Sequence, residues 1–128
     1  MAQPRVLVVG GGMGIGQFIT EFLVQKHGAK VVVLGLDISE SVQQLEKEKK
    51  LCIVRGDATE LDTQGLAQSA VSNYLGGLDA LVITLGILGE VETVARLDIE
   101  KMRKAFAINF FAPVQLVYDL SLISFNVF

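Results

Sequence analysis

Five glycines fall within the seven positions Gly10-Gly11-Gly12-Met13-Gly14-Ile15-Gly16. The apolar run Val6-Leu7-Val8-Val9 precedes them, and a stretch with helical periodicity follows. Backbone N–H groups at a helix N-terminus bind anions, and side chains there block close approach. The chemistry that suits such a bend is capture of a nucleotide phosphate. Other polar groups sit at comparable junctions. Asp37 and Asp57 each follow an apolar run, where an acid serves as a ligand contact or simply as a turn or cap residue. Cys52 lies in Leu51-Cys52-Ile53-Val54 with no basic neighbour to activate it, so it reads as a strand thiol rather than a nucleophile. His27, the lone histidine, reads as a helix-end residue and not as a base or ligand.

The glycine spacing narrows the choice. Gly-x-Gly-x-x-Gly fails, because its third glycine would fall on Ile15 or Gln17. Gly-x-x-x-Gly-x-Gly fits Gly10, Gly14 and Gly16. A triphosphatase loop needs Lys-Ser/Thr after its last glycine, and Gln17 stands there instead.

The elements that must hold this bend alternate along the chain. Arg5 to Val9, Val31 to Leu34, Leu51 to Val54 and Ala80 to Leu85 read as four strands. Between them lie three helical patterns. The first carries Ile15, Phe18, Ile19, Phe22 and Leu23 as one inward apolar stripe, stopped by Gly28. The second, Ser39 to Lys50, turns Val42 and Leu45 inward. The third, Thr59 to Tyr74, presents Ala67, Ala70, Val71 and Tyr74, and Gly76-Gly77 stops it. Asp98 is placed to cap a last helix burying Ile99, Met102, Phe106 and Phe110, which Pro113 kinks or interrupts. This order predicts an α/β fold: a doubly wound parallel sheet of Rossmann type, strand order 3-2-1-4, in one domain spanning residues 1–128.

Composition agrees. The chain is 51% hydrophobic with a mean hydropathy of +0.49, which suits strands covered on both faces. A net charge of −3 gives no footprint for nucleic acid. The apolar stretch after Ala105 is interrupted by Asn109, Pro113 and Asp119, and reads as a buried helix rather than a membrane span. One cysteine and no leader-like N-terminus point to the cytoplasm.

Gly10 to Gly16 resembles the Gly-x-x-x-Gly-Ile-Gly cofactor motif of the short-chain dehydrogenase/reductase family. The likeness continues in order. Gly56-Asp57-Ala58-Thr59 resembles the family's Asp-Val-Thr turn, whose aspartate contacts adenine. Leu78 to Val82 resembles the strand leading to its Asn-Asn-Ala-Gly motif, and Ala107-Ile108-Asn109-Phe110-Phe111 the helix bearing its catalytic asparagine. The resemblance implies an oxidoreductase that transfers hydride between a nicotinamide cofactor and a carbonyl or alcohol. It assigns Gly10, Gly12, Met13, Gly14, Ile15, Gly16, Asp57, Ala58 and Gly86 to the cofactor and Asn109 to catalysis; Asp37 joins the cofactor set by its spacing of about 20 residues past the glycines, although the family's own acid position falls on Gly35.

The departures are specific. Val9 replaces the family's threonine, and Ile83-Thr84-Leu85-Gly86 keeps only the glycine of its motif, which puts that turn's hydrogen bonding in question. No Tyr-x-x-x-Lys occurs: Tyr74 is followed at the fourth place by Leu78, and Tyr118 by Leu122. The family's serine, tyrosine and lysine belong past the equivalent of Phe128. The chain is therefore expected to be a C-terminally truncated, incomplete fold, inactive alone. The alternatives are a non-catalytic dinucleotide-binding or interaction module and an inactive remnant. No Arg or Lys lies between Ile15 and Gln25 or between Val31 and Leu45 to hold a 2′-phosphate, so NAD is favoured over NADP. The fourth strand is expected to form an apolar sheet edge that, with the final helix, promotes self-association.

Overall fold

A computed structural model describes residues 3–124. Four strands form one sheet: β1 (Arg5–Val9), β2 (Lys30–Gly35), β3 (Leu51–Arg55) and β4 (Ala80–Ile83). Their order is β3-β2-β1-β4, and every pairing is parallel. Five α-helices flank them: α1 (Gly14–His27), α2 (Glu40–Lys47), α3 (Leu61–Ala70), α4 (Ile99–Phe106) and α5 (Ala112–Ser124). π-helical turns follow α3 at Val71–Leu75 and α4 at Ala107–Phe111.

Alternation along the strands divides the core between the two faces. Leu7, Val9, Val32, Leu34 and Val54 pack with Ala67, Val71, Leu116 and Leu120. Val6, Val8, Val31, Val33 and Ile53 pack with Val42 and Leu45, with Leu23 and Val24 alongside. Helices thus cover both faces, as a doubly wound sheet requires. At the N-terminal end of the sheet, Arg5 ties β1 to the start of β4. Its guanidinium donates to both Asp79 carboxylate oxygens (2.8 and 3.1 Å) and to the Gly76 carbonyl (2.9 Å). The paired guanidinium holds the Asp79 carboxyl down at about 2.

The helix ends expected at Gly28, Gly76 and Asp98 hold, while the cap of α2 is Ser39 rather than Asp37. Ser39 and Asp98 cap α2 and α4, and Gly28 and Gly76 end their helices in the left-handed conformation. His27 is the exposed last residue of α1, edge-on to Phe22. β4 stops at Ile83, two residues short of the sequence expectation. Pro113 falls in the first turn of α5, directly after the π-helical turn, so the register breaks there and the helix continues.

Two packing expectations fail. The α1 stripe faces the sheet only in part: Ile15, Phe18 and Phe22 are 76%, 71% and 56% exposed, and only Ile19 and Leu23 turn towards it. The seated face is the narrow one bearing Gly16 and Thr20, both buried, with Ile19, Leu23 and Val24 half-buried. A helix entering directly from the glycine bend lies so close to β1 that only small side chains fit beneath its first turns. The last helix is also not buried as a whole. Ile99, Met102, Phe106 and Phe110 are exposed, and Ala112, Leu116 and Leu120 form the buried row. By length and composition the run Ile99–Ile123 is apolar enough to cross a membrane, yet that row sits in the sheet's core.

Candidate functional site

The bend after β1 is built so that backbone alone lines it. Gly10 donates its N–H to the Leu34 carbonyl (2.7 Å), extending the β1–β2 pairing by one residue, and its φ of +80 then turns the chain out of the sheet. A Cβ at Gly16 would collide with the Gly10 carbonyl oxygen, so only glycine lets α1 begin this close to the strand end. Below, the buried Thr20 hydroxyl donates to the Gly11 carbonyl (3.0 Å). Beside it, the Ser39 N–H donates to the Gly12 carbonyl (2.9 Å) and draws the Leu36–Ile38 loop over Gly12.

The helix that starts here differs from α2 and α4, which are capped by side chains, and from α3, which lacks a side-chain cap but carries Asp62 in its first turn. Ser39 Oγ accepts from Val42 N–H in α2, and Asp98 Oδ1 accepts from Glu100 and Lys101 N–H in α4. α1 has Met13 as its N-cap, with no side-chain hydrogen bond to its leading amides and no acid in its first turn. Its leading N–H groups and the positive end of its dipole are left for something else. A Cβ at Gly14 would meet nothing within 4 Å, so the space before these groups is open.

That space adjoins a cleft of about 480 Å³ at the C-terminal ends of the strands. Ligands of open α/β sheets bind in such a crevice. Of the residues singled out from sequence, Gly10, Met13, Asp37, Asp57, Ala58 and Gly86 line it. Gly12 and Gly16 are buried in the bend beneath, and Gly14 and Ile15 lie exposed at the start of α1. Asp57 Oδ1 accepts from both the N–H (2.9 Å) and the hydroxyl (2.7 Å) of Thr59. Those hydrogen bonds, the backbone one first, hold its carboxyl below the usual range. The turn role and the cleft-facing position of Asp57 therefore coexist.

Asn109 does not line the cleft. It is joined to the loop after β4, where its Oδ1 accepts from the Ile87 N–H and its Nδ2 donates to the Ile87 carbonyl, both at 2.8 Å. The side chain thereby fixes Ile87, a cleft-lining residue. Cys52 is half-buried in β3 with its thiol pushed up by burial and by Glu46, consistent with an inert strand residue.

The cleft also contains residues that sequence reading passed over. Leu36, Thr84, Ile87, Lys104 and Ile108 line it. Lys104 and Ile108 are four apart on one continuous helical run, a spacing that could have placed them on one face. Thr84 answers the question left by the missing asparagines: its Oγ1 lies 3.1 Å from both the Val9 and Gly10 carbonyl oxygens.

Comparison with known proteins agrees with this geometry. The family profile described as short chain dehydrogenase matches residues 4–122. An uncharacterized oxidoreductase of Schizosaccharomyces pombe is 30% identical over 91% of this chain and 46% of its own length. An uncharacterized oxidoreductase of Saccharomyces cerevisiae is 35% identical over 88% of this chain and 45% of its own. The crystal structure of the KRED1-Pglu enzyme aligns with a TM-score of 0.83 at 27% identity, covering 94% of this chain and 51% of that one. The chain thus spans about half the length of the relatives it matches. A glycine bend feeding an uncapped helix, a 3-2-1-4 parallel sheet and a family match over nearly the whole chain lead to one assignment: this protein belongs to the short chain dehydrogenase family.

Proposed function

We propose that this chain holds a nicotinamide dinucleotide in the cleft above β1, with the pyrophosphate at the start of α1, and supplies the cofactor-binding half of an oxidoreductase. The observation that carries the reading is the uncapped α1 N-terminus opening through glycines onto that cleft. The residues fit the group. Gly10, Gly12, Met13, Gly14, Ile15 and Gly16 give amides without obstruction, Asp37, Asp57 and Ala58 flank the β2 and β3 ends where the adenosine belongs, and Gly86 walls the β4 end. When bound, the cofactor supplies hydride transfer to or from a carbonyl or alcohol. The chain's own share is binding and orientation. Asn109 acts as a positioning residue, because both polar atoms of its side chain are spent on Ile87.

We favour NAD over NADP. Gly35 and Leu36 leave the end of β2 without a cation for a 2′-phosphate. Lys104, which reaches the cleft from α4, is positioned to act on Asp57, whose carboxyl it helps keep charged. We also place the protein in the cytoplasm, a reading supported by its one free thiol.

Self-association through β4 is part of the same proposal. The free side of β4 borders an apolar groove of about 400 Å³ lined by Leu78, Leu81, Ile83, Val117 and Leu120. A second copy pairing along this edge, with the exposed face of α5, would cover it.

Titration with NADH and NADPH, followed by calorimetry, tests the assignment. Saturable binding with NADH the tighter ligand is expected, and absence of heat with both would overturn it. A second reading, binding without turnover by this chain, is favoured by the absence of Tyr-x-x-x-Lys from its 128 residues. Under that reading NADH binds but no carbonyl substrate oxidises it.

A further inference from the structure

We propose that the Thr84 hydroxyl is the positioning group that sets the phosphate bend, a role resting on the dinucleotide reading above. Thr84 is half-buried at the C-terminal end of β4, and its N–H donates to the Val9 carbonyl (2.9 Å), extending the β1–β4 pairing by one residue. Its hydroxyl then goes further. Oγ1 lies 3.1 Å from both the Val9 and Gly10 carbonyl oxygens. Val9 already accepts the backbone bond, whereas among the described residues the Thr84 hydroxyl is the protein donor that reaches Gly10.

The fit around this oxygen is tight. A Cβ built on Gly10 or on Gly16 would stand 2.6 Å from Thr84 Oγ1 in either case. The hydroxyl thus fills the notch left by the first and last glycines of the motif, and the three residues form a matched set. The consequence is electrostatic. A peptide carbonyl aimed at an anion repels it, and an amide attracts it. Held between the Thr84 hydroxyl and Gly16, the Gly10 carbonyl spends its negative end on a protein donor, and the peptide that leads into the amides of α1 is fixed. Val9 has no hydroxyl to tie this junction from the β1 side, and Ile83 has no polar group. The tie therefore comes from β4, through one oxygen.

Thr84→Val keeps the shape and removes the hydroxyl, while Thr84→Ser keeps the hydroxyl and removes a methyl. Two readouts separate positioning from bulk stability: amide hydrogen exchange of residues 10–17 without ligand, and NADH affinity by calorimetry. Thr84→Val is expected to speed exchange of the bend ahead of the rest of the sheet and to weaken NADH binding about fivefold, and Thr84→Ser to match the parent in both. Should Thr84→Val not fold, Thr84→Cys, whose thiol is a weak donor, takes its place with the same expected result. Unchanged exchange at residues 10–17, or Thr84→Ser behaving like the hydroxyl-free variant, would overturn the proposal. If the parent binds no NADH, the dinucleotide reading fails, and the exchange comparison still decides whether Thr84 holds the bend.

Discussion

β2 and β4 flank the same strand, yet they live in different surroundings. Five of the six residues of β2 are buried, and no residue of β4 is. β2 pairs with β1 on one side and β3 on the other, with helices over both faces. β4 pairs only with β1 among the described residues, and its apolar side chains stay half-exposed. Equal hydrophobicity does not give equal burial. Burial follows the number of neighbours an element has, and the β2 side is closed where the β4 side is open. The candidate site lies at the junction, anchored on the closed side and walled by Thr84, Leu85 and Gly86 on the open one.

The largest test of that contrast is a pair of truncations. Leu34→Ala in β2 empties a fully buried site and is expected to cost about 3 kcal/mol. Leu81→Ala in β4 removes a half-exposed side chain and is expected to cost about 1 kcal/mol. Urea unfolding of both variants measures the difference, and equal losses would erase the distinction. Next in size, Gly16→Ala drives a methyl into the Gly10 carbonyl and is expected to cost about 2 kcal/mol and abolish NADH binding. Thermal unfolding and calorimetry read the two effects.

The way each helix starts shows how much of this was legible beforehand. Asp98 caps α4 as its position in the sequence implied, because a cap is a local event within four residues, whereas α2 is capped by Ser39 and not by Asp37. Strand positions and order were legible for the same reason: short apolar runs alternating with helical patterns leave few topologies. The α1 stripe was not. A 3.6-residue period finds an apolar face, but it does not say whether Gly16 and Thr20 or Ile15, Phe18 and Phe22 meet the sheet. The cleft was half legible. The glycines and Asp57 announce themselves by local pattern, whereas Leu36, Thr84 and Lys104 reach it from three separate elements that only the fold brings together.

Smaller effects sharpen the picture. Met13→Asp gives α1 the cap it lacks and is expected to stabilise the ligand-free fold by about 1 kcal/mol. The same carboxylate occupies the amides that an anion needs, so NADH affinity should fall about tenfold. A stabilised variant with unchanged affinity would show that those amides bind nothing. The smallest effect concerns the tie between β1 and β4. The folded carboxyl of Asp79 titrates at about 2, against an ordinary value of 3.8, because Arg5 favours its charged form. Its stabilisation is complete above about pH 4 and is lost as the pH falls towards 2. Asp79→Asn should flatten the stability profile over that window and leave it unchanged near neutrality in slope.

The central claim is that the glycine bend and the start of α1 receive a dinucleotide. Hydrogen exchange of the protein with saturating NADH, resolved along the chain, tests it most directly. Slowed exchange confined to residues 10–17 and the cleft-facing ends of β2, β3 and β4 is the expected pattern. Bound NADH that protects another surface while residues 10–17 exchange as before would contradict it.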